Sequence, residues 1–451
     1  MTSNTKTTVT AVCAAFIMLT CPSAYDVHAA VSEGSYRKSG RHETVARQDS
    51  TYRKRGWSIA PIPALSYSSD LGFQLGAIID AYWFGNGDTY PEYLHKFTAE
   101  ACYFTKGSGI YYLFYDSKHL LPGLRLTASA SYLPNTMMAF YGFNGYMAPY
   151  DRSRNAGFYA VDRNQLRIMA DFQGKIKGAF GWAAGIGFFD YDTGRIKVDK
   201  YEGQTTLYDL YRTHGIIRED ESRGGSHIEL RAGIVFDTRD NEPDPKRGIY
   251  SDFLLYGSPD IINGRGYSYL KGSFSFRHYV PLFRDRITLA YRLCWQGTIA
   301  GNAPFYVQQN YTTLFLKQIN SDILGGAISL RGILYNRVVG NGMAWANAEV
   351  RFRLFGFRFI GQEWYIVLNP FLDAGMVTDK FRATEMIAAA ANDTANAPAI
   401  YSGASERPHL SGGIGIKFVM NRNMVLSVEY GMPFDKRDGN NGLYLNLNYV
   451  F

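Results

Sequence analysis

The sequence is poor in charge, in cysteine and in long apolar runs, although 46% of its 451 residues are hydrophobic. Charged residues make up 19%, below the average of about a quarter in soluble proteins. After residue 30, no stretch approaches the roughly 18 consecutive apolar residues of a transmembrane helix. A membrane location would therefore require a closed β-barrel, because only helices and closed barrels satisfy every backbone hydrogen bond in lipid.

Motifs for catalysis and ligand binding are also lacking. Cys13 and Cys21 lie in the predicted leader, and Cys102 and Cys294 are too far apart for a disulfide framework. A lipoprotein leader using Cys21 is disfavoured by Thr20 in front of it. The eight histidines form no HExxH cluster, and no GxSxG motif or P-loop occurs. We expect no enzyme activity, metal or cofactor, and the modest net charge of +7 gives no reason to expect nucleic acid as a partner.

Aromatic residues and glycine are abundant instead. Aromatics make up 15% of the chain and 46 residues are glycine, a composition that favours a β-rich fold and excludes disorder. Residues 1–29 are typical of a signal peptide, with Lys6 before a short apolar stretch and Val27-His28-Ala29 at a cleavage site. We interpret the polar, basic residues 30–56 as a flexible periplasmic segment, with anionic lipid contact as the alternative.

From residue 57 to residue 451, apolar and polar residues alternate along 16 segments. In one of them, Ile228, Leu230 and Ile234 share a face, and Glu229 and Arg231 lie on the other. Most segments have roughly 9 to 14 residues, whereas soluble strands most often have about 5–6 and a tilted strand crosses a bilayer in about 9–11. This pattern favours an apolar wall towards lipid and a polar lumen, although alternation alone also fits a soluble sandwich.

The connections between the segments sort by length. Long ones, such as 134–163, 192–225 and 299–342, follow odd-numbered segments, and short ones mostly follow even-numbered segments. Outer-membrane barrels have long extracellular loops and short periplasmic turns, whereas a sandwich has no reason to sort its loops. We predict an all-β fold, a 16-stranded transmembrane antiparallel β-barrel over residues 57–451, in the outer membrane of a Gram-negative cell.

The last segment ends the chain on an aromatic residue. Alternation predicts one continuous strand face that resembles the carboxyl-terminal targeting signal of bacterial outer-membrane proteins. The residues of that face are Leu443, Leu445, Leu447, Tyr449 and Phe451.

Three further stretches carry a family resemblance. Residues 324–332 read LGGAISLRG, residues 236–250 begin FDTRDN and end PKRGIY, and residues 369–375 read NPFLDAG. Together, in their order along the chain, these stretches resemble the 16-stranded bacterial surface antigen barrel of the BamA/TamA superfamily, which inserts proteins into outer membranes or translocates them. The resemblance covers about 57–451 and is strongest from residue 226 onwards.

The resemblance implies a lock inside the barrel. In that family, the loop with the Leu-Arg-Gly motif folds into the lumen, and its arginine pairs with acidic residues of the wall. Here the motif supplies Arg331 and Gly332, and the expected acids are Glu349 and Asp373. The alternative is that these are ordinary lumen charges. We expect Arg331→Ala to lower the heat resistance of the barrel, with little change for Arg351→Ala.

One departure from the family affects the functional expectation. Members usually carry periplasmic POTRA domains before the barrel, and the residues between the predicted leader and residue 57 are too few for such a domain. We expect a protein that aids insertion or export of outer-membrane or surface proteins through a weak seam between its first and last strands. The expected partners are outer-membrane lipid, lipopolysaccharide and client proteins or assembly subunits. The alternative is a passive or ligand-binding pore.

Overall fold

The structure is a computed structural model that describes residues 54–451, apart from 70, 91, 262–265, 284–285, 311–322, 360–361, 423 and 448. The predicted signal peptide (1–29) and most of the predicted basic segment (30–53) lie outside the described residues. In the described part of the chain, the helices are too short or too polar to cross a membrane.

Sixteen antiparallel strands, numbered β1 to β16 in chain order, close into one barrel in which β1 meets β16. Each predicted segment corresponds to one strand, so the predicted fold class is confirmed. The strands are β1 (Trp57–Ser68), β2 (Gly72–Trp83), β3 (His95–Phe104), β4 (Ser108–Leu121), β5 (Leu124–Ala139), β6 (Ala160–Lys177), β7 (Phe180–Gly194), β8 (Gly224–Asp237), β9 (Gly248–Ser258), β10 (Tyr269–Phe283), β11 (Ile287–Gly301), β12 (Gly342–Phe359), β13 (Gln362–Asp379), β14 (His409–Met420), β15 (Met424–Pro433) and β16 (Gly442–Leu447).

The two faces of the wall differ as the alternation predicts. On β8, the side chains of Leu230 and Ile234 are 51% and 52% exposed on the outside, whereas Glu229 and Arg231 are buried in the lumen. Apolar side chains on the outer face contact lipid, so their exposure carries no hydrophobic cost there. The barrel is thus apolar outside and charged inside.

Connection lengths also sort as predicted. Turns at the periplasmic end are as short as 122–123 and 178–179, whereas the extracellular end carries the connections 140–159, 195–223, 302–341 and 380–408. The α-helices found among the described residues lie in these long connections: α1 (Leu207–Thr213), α2 (Glu219–Ser222), α3 (Phe305–Gln308), α4 (Ala383–Asn392) and α5 (Ala397–Ile400).

The described residues of the four long connections pack into a dome over the extracellular end. Phe143 is fully buried, and its ring lies 4.8 Å from that of Phe381 and 5.5 Å from that of Tyr211, so three loops share one aromatic core. The Asn144 side chain donates to the Phe381 carbonyl (2.8 Å) and accepts from its N–H (2.7 Å). These contacts hold the loops together above the lumen.

Candidate functional site

The motif loop, part of the connection between β11 and β12, places Arg331 inside the barrel. Its guanidinium is fully buried and forms a two-pronged contact with Asp373 of β13, with Nε at 2.9 Å from Oδ2 and Nη2 at 2.8 Å from Oδ1. The backbone N–H of Arg331 donates to the same carboxylate at 3.0 Å. Charge-assisted bonds of this geometry fix the loop as well as the side chain.

Two glutamates share the remaining guanidinium nitrogen. Arg331 Nη1 lies 2.6 Å from Glu349 Oε1 of β12 and 2.7 Å from Glu429 Oε1 of β15. The structure therefore brings Arg331, Glu349 and Asp373 together, and it adds Glu429, which the sequence analysis missed. The sequence held one clue to Glu429. It lies two positions after Ser427 on β15, so both side chains are on the lumen face of that strand.

Two more cations complete this cluster. Lys417 Nζ lies 2.7 Å from Glu429 Oε1, and Arg351 Nε lies 2.9 Å from Glu349 Oε2. Three buried cations thus face three buried acids, the balance that buried charges require. We call these six residues the Arg331 network: Arg331, Arg351, Lys417, Glu349, Asp373 and Glu429. Arg351 pairs with Glu349, which Arg331 also contacts, so this geometry does not favour the small effect expected for Arg351→Ala, which stays a prediction.

Gly332 brings the loop backbone against the wall. It has a φ of +92°, and a Cβ there would lie 2.5 Å from the carbonyl carbon of Gly431 on β15. A Cβ on Gly431 would in turn lie 2.7 Å from the carbonyl carbon of Arg331. The N–H of Gly332 donates to the Tyr444 hydroxyl of β16 at 3.1 Å. Two glycines therefore allow the loop to dock on β15 and β16.

The junction of β1 and β16, here called the seam, is paired only near its extracellular end. Among the described residues, β1 pairs with β16 at Tyr67 and Ser68, whereas it pairs with β2 at twelve positions from Trp57 to Ser68. β16 itself has six residues. Within the part of the chain that the structure describes, this junction is therefore much less extensively paired than the β1–β2 junction.

The predicted strand face from Leu443 to Phe451 is only partly correct. Strand β16 ends at Leu447, which is 55% exposed towards lipid, whereas Tyr449 and Phe451 are buried. Val450 and Phe451 pack against Tyr279 of β10 and Ala290 of β11. The last three residues, here called the tail, therefore lie inside the lumen and not on the outer face.

Lumen arginines hold the tail. Arg351 Nη2 donates to the carbonyl oxygen of Phe451 at 3.0 Å, and its guanidinium lies 3.8 Å from the centre of the Tyr449 ring. Arg292 Nη1 on β11 donates to the carbonyl oxygen of Val450 at 3.3 Å. Arg351 thus links the tail to the Arg331 network, a connection that the strand pattern does not reveal.

The connection between β8 and β9 reaches into the periplasmic end of the lumen beside the tail. Asp244 is buried there and accepts a hydrogen bond from the Tyr365 hydroxyl of β13, and Tyr365 belongs to the same apolar cluster as Tyr449. Burial raises the pKa of Asp244. This turn and the tail therefore lie close together at the periplasmic end of the lumen.

The sequence matches the Omp85 superfamily domain over residues 96–451, and no curated protein matches it. Among solved structures, BamA from Haemophilus ducreyi lacking POTRA domains 1–3 is similar, with a TM-score of 0.57, 16% identity, and coverage of 88% of this chain and 70% of that one. CdiB from Escherichia coli is similar with a TM-score of 0.53, 10% identity, and coverage of 86% and 62%. At these identities, the likeness shows a common fold.

Proposed function

The chain belongs to the Omp85 superfamily, and we propose on this basis that it aids the insertion or export of outer-membrane or surface proteins. An Omp85 barrel implies the outer membrane of a Gram-negative cell as its location. The superfamily comprises insertion and secretion barrels, which supports a non-enzymatic role. Lipid and lipopolysaccharide would contact the apolar outer face.

The seam is the observation that carries this proposal. Among the described residues, β1 and β16 pair at two positions, against twelve between β1 and β2. An exposed strand edge is a surface to which another extended chain can bind. We propose that a client chain arriving from the periplasm meets the barrel at this weakly paired junction.

The Arg331 network would keep the rest of the barrel in shape while the seam is open. It ties the motif loop to β12, β13 and β15 through buried ion pairs, and Gly332 adds a contact to β16. Removing one partner from such a cluster is costly, because the other charges stay buried without compensation. We propose that Arg331, Gly332, Glu349 and Asp373 act together as a lock on the wall beside the seam.

Cross-linking tests the client contact. Single cysteines at Ile59 and Leu447, beside the seam, are compared with a cysteine at Leu230 on the far wall, in a Cys102→Ala, Cys294→Ala background. We expect adducts with pulse-labelled, newly made outer-membrane proteins at Ile59 and Leu447 and few at Leu230, which is similarly exposed. Equal adduct formation at all three positions would reject the seam as the working surface.

The competing function is a passive or ligand-binding pore. The dome argues against a wide open channel, because its loops pack over the extracellular end. Planar bilayer recording separates the two functions. Steady conductance without adducts at Ile59 or Leu447 would favour the pore, whereas adducts without steady conductance would favour the assembly role.

A further inference from the structure

The extracellular rim of the barrel carries two arginines that share one acid. Arg407 lies shortly before β14 and Arg437 shortly after β15. Their side chains are 60% and 41% exposed. Each donates from Nη2 to Oδ2 of Asp435, Arg407 at 2.9 Å and Arg437 at 2.7 Å. Two guanidinium groups therefore converge on one carboxylate at the surface.

Tyr146, from the connection 140–159, limits the freedom of both guanidinium groups. The centre of its ring lies 4.1 Å from the guanidinium of Arg437 and 5.2 Å from that of Arg407. The ring is itself buried and stacks on His409 at 3.9 Å. Cations held beside an aromatic ring and a carboxylate have little side-chain entropy left to lose, so they bind an anion at a smaller cost.

Two further cations lie on the same surface. Lys436 and Arg152 are exposed, and Arg152 Nη2 donates to the carbonyls of Lys436 and Gly439 at 2.7 Å each. We call these residues the rim patch: Arg152, Arg407, Asp435, Lys436 and Arg437. Four positive charges and one negative charge give the rim patch a net charge of +3. Such a surface attracts anionic groups.

Two acids below the rim patch are engaged with other partners. Asp438 is buried, accepts from the Tyr146 hydroxyl at 2.6 Å with one oxygen, and lies 2.6 Å from His409 Nδ1 with the other. Glu406 accepts from the Tyr146 N–H at 2.8 Å and faces His409 Nε2 at 3.3 Å. Both acids thus serve the packing of Tyr146 and His409 beneath the surface.

The two rim arginines keep donors available. Among the described residues, Nη1 of Arg407 and Nη1 of Arg437 have no hydrogen-bond acceptor, whereas Nη2 of each is used by Asp435. A guanidinium is planar and always charged, and its fork of donors matches the oxygens of a phosphate. The rim patch can therefore accept a phosphate group without breaking its existing contacts.

The side chains next to the rim patch along the strands face lipid. Leu410, Met432 and Phe434 are exposed on the outer face of β14, of β15 and just beyond β15, and the N–H of Phe434 donates to the carbonyl of Leu410. Apolar side chains of the outer face contact acyl chains, and cations at the ends of the spanning segments lie at the depth of the headgroups. Charge and apolar surface are thus stacked in the order that a phosphorylated lipid has.

We propose that the rim patch binds the phosphate groups of a phosphorylated, acylated lipid of the outer leaflet, of the lipid A type. The inference rests on the outer-membrane location, which is part of the proposed function, and not on the client role. The lipid would bind beside the turn between β15 and β16. The motif loop contacts the same turn, because the N–H of Leu334 donates to the carbonyl of Asp438. The bound lipid thus adds a hold on the extracellular end of the seam from outside.

Native mass spectrometry of the folded barrel in detergent tests the site by counting bound lipid. The probes are lipid A with both phosphates, the same lipid with its phosphates removed, and inorganic phosphate. We expect one lipid A to bind about tenfold more tightly than the dephosphorylated lipid, because the phosphate bonds are charge-assisted. Inorganic phosphate at the same concentration should not displace it. Equal binding of the two lipids, or displacement by inorganic phosphate, would overturn the proposal.

An Arg407→Gln, Arg437→Gln variant locates the site. The affinity for lipid A should fall about tenfold, because two charged donors are lost. Arg358→Gln is the matched control: Arg358 is 79% exposed in an ion pair, near the lipid-facing Phe359, but lies at the periplasmic end of β12. Its affinity should not change. If the double variant does not fold, Arg407→Gln alone should give part of the loss. An unchanged affinity in folded variants would overturn the proposal.

Asp435→Asn separates a lipid site from a purely structural ion pair. The substitution removes the negative charge of the rim patch and keeps the shape of the side chain, so the affinity for lipid A should rise. A loss as large as that of the arginine variant would mean that the arginines only stabilise the turn, and would overturn the proposal. These measurements need no client, so their failure is separate from a failure of adduct formation at Ile59, which bears on the proposed function.

Discussion

The two ends of the β1–β16 seam are built from different interactions. Towards the extracellular side, β16 pairs with β1, contacts the motif loop through Tyr444, and lies beside a fully buried charge network. Towards the periplasmic side, β1 carries two prolines and the tail turns away. The comparison teaches that strand pairing holds the extracellular end of this junction, whereas side-chain contacts in the lumen hold the chain end at the periplasmic side.

The largest expected effect comes from the closed end. Arg331→Ala removes the shared partner of three buried carboxylates and should lower the free energy of unfolding by about 3–5 kcal/mol. The measurement is the temperature at which the folded band is lost on a gel. Arg358→Ala on β12 is the control, because Arg358 is 79% exposed in its pair with Glu363. If both variants lowered this temperature by a similar amount, the buried network would stabilise the barrel no more than an exposed ion pair does.

The next effect tests the close approach of the loop to β15. Gly332→Ala places a Cβ against the Gly431 backbone, which should cost about 1–3 kcal/mol more than the same change at an open site. Gly403→Ala is the matched control: its φ of +72° imposes the same backbone strain, and nothing lies within 4 Å of the added Cβ. A melting temperature that falls equally in both variants would contradict tight docking.

A smaller effect is expected at the acid that the sequence analysis missed. Glu429→Gln keeps the shape of the side chain but leaves Arg331 and Lys417 with one charge less between them, a loss of about 1–2 kcal/mol. Equilibrium unfolding in urea measures it. Gln74 and Glu100 lie in a half-buried pair on β2 and β3, so Glu100→Gln gives a comparison outside the network. An unchanged urea midpoint of unfolding for Glu429→Gln would show that Glu429 does not contribute to the stability of the Arg331 network.

The smallest effect is expected at the periplasmic end. Ile59→Ala shortens a side chain that is 62% exposed to lipid beside the seam, so unfolding should change by less than about 0.5 kcal/mol. The same urea titration applies. A loss as large as that of Arg331→Ala would mean that the periplasmic part of β1 is packed as firmly as the extracellular part.

The strands of the barrel wall could be predicted from the sequence, whereas the structure at the β1–β16 junction could not. Alternation and loop length follow from local chemistry, so all 16 strands and the lumen-facing sides of Glu349 and Asp373 could be predicted. The third acid, Glu429, depends on where β15 stands relative to the loop, which only barrel closure decides. The tail was predicted as strand because Tyr449 and Phe451 continue the alternation. The side chains that hold the tail in the lumen, Arg292 and Arg351, lie 158 and 100 residues before the residues they contact, so local alternation does not reveal them.

Residue-resolved hydrogen exchange of the barrel in lipid nanodiscs tests the central claim most directly. The carbonyl of Gly56 accepts from the N–H of Phe84, and β1 pairs with β2 without a bulge. Even-numbered amides of β1, such as Ser58 and Ala60, therefore face β2 and should exchange slowly. Odd-numbered amides should divide: Tyr67, which pairs with β16, should be protected, whereas Trp57 and Ile59 should exchange much faster. Uniform protection from Trp57 to Tyr67 would show a closed seam and contradict the account.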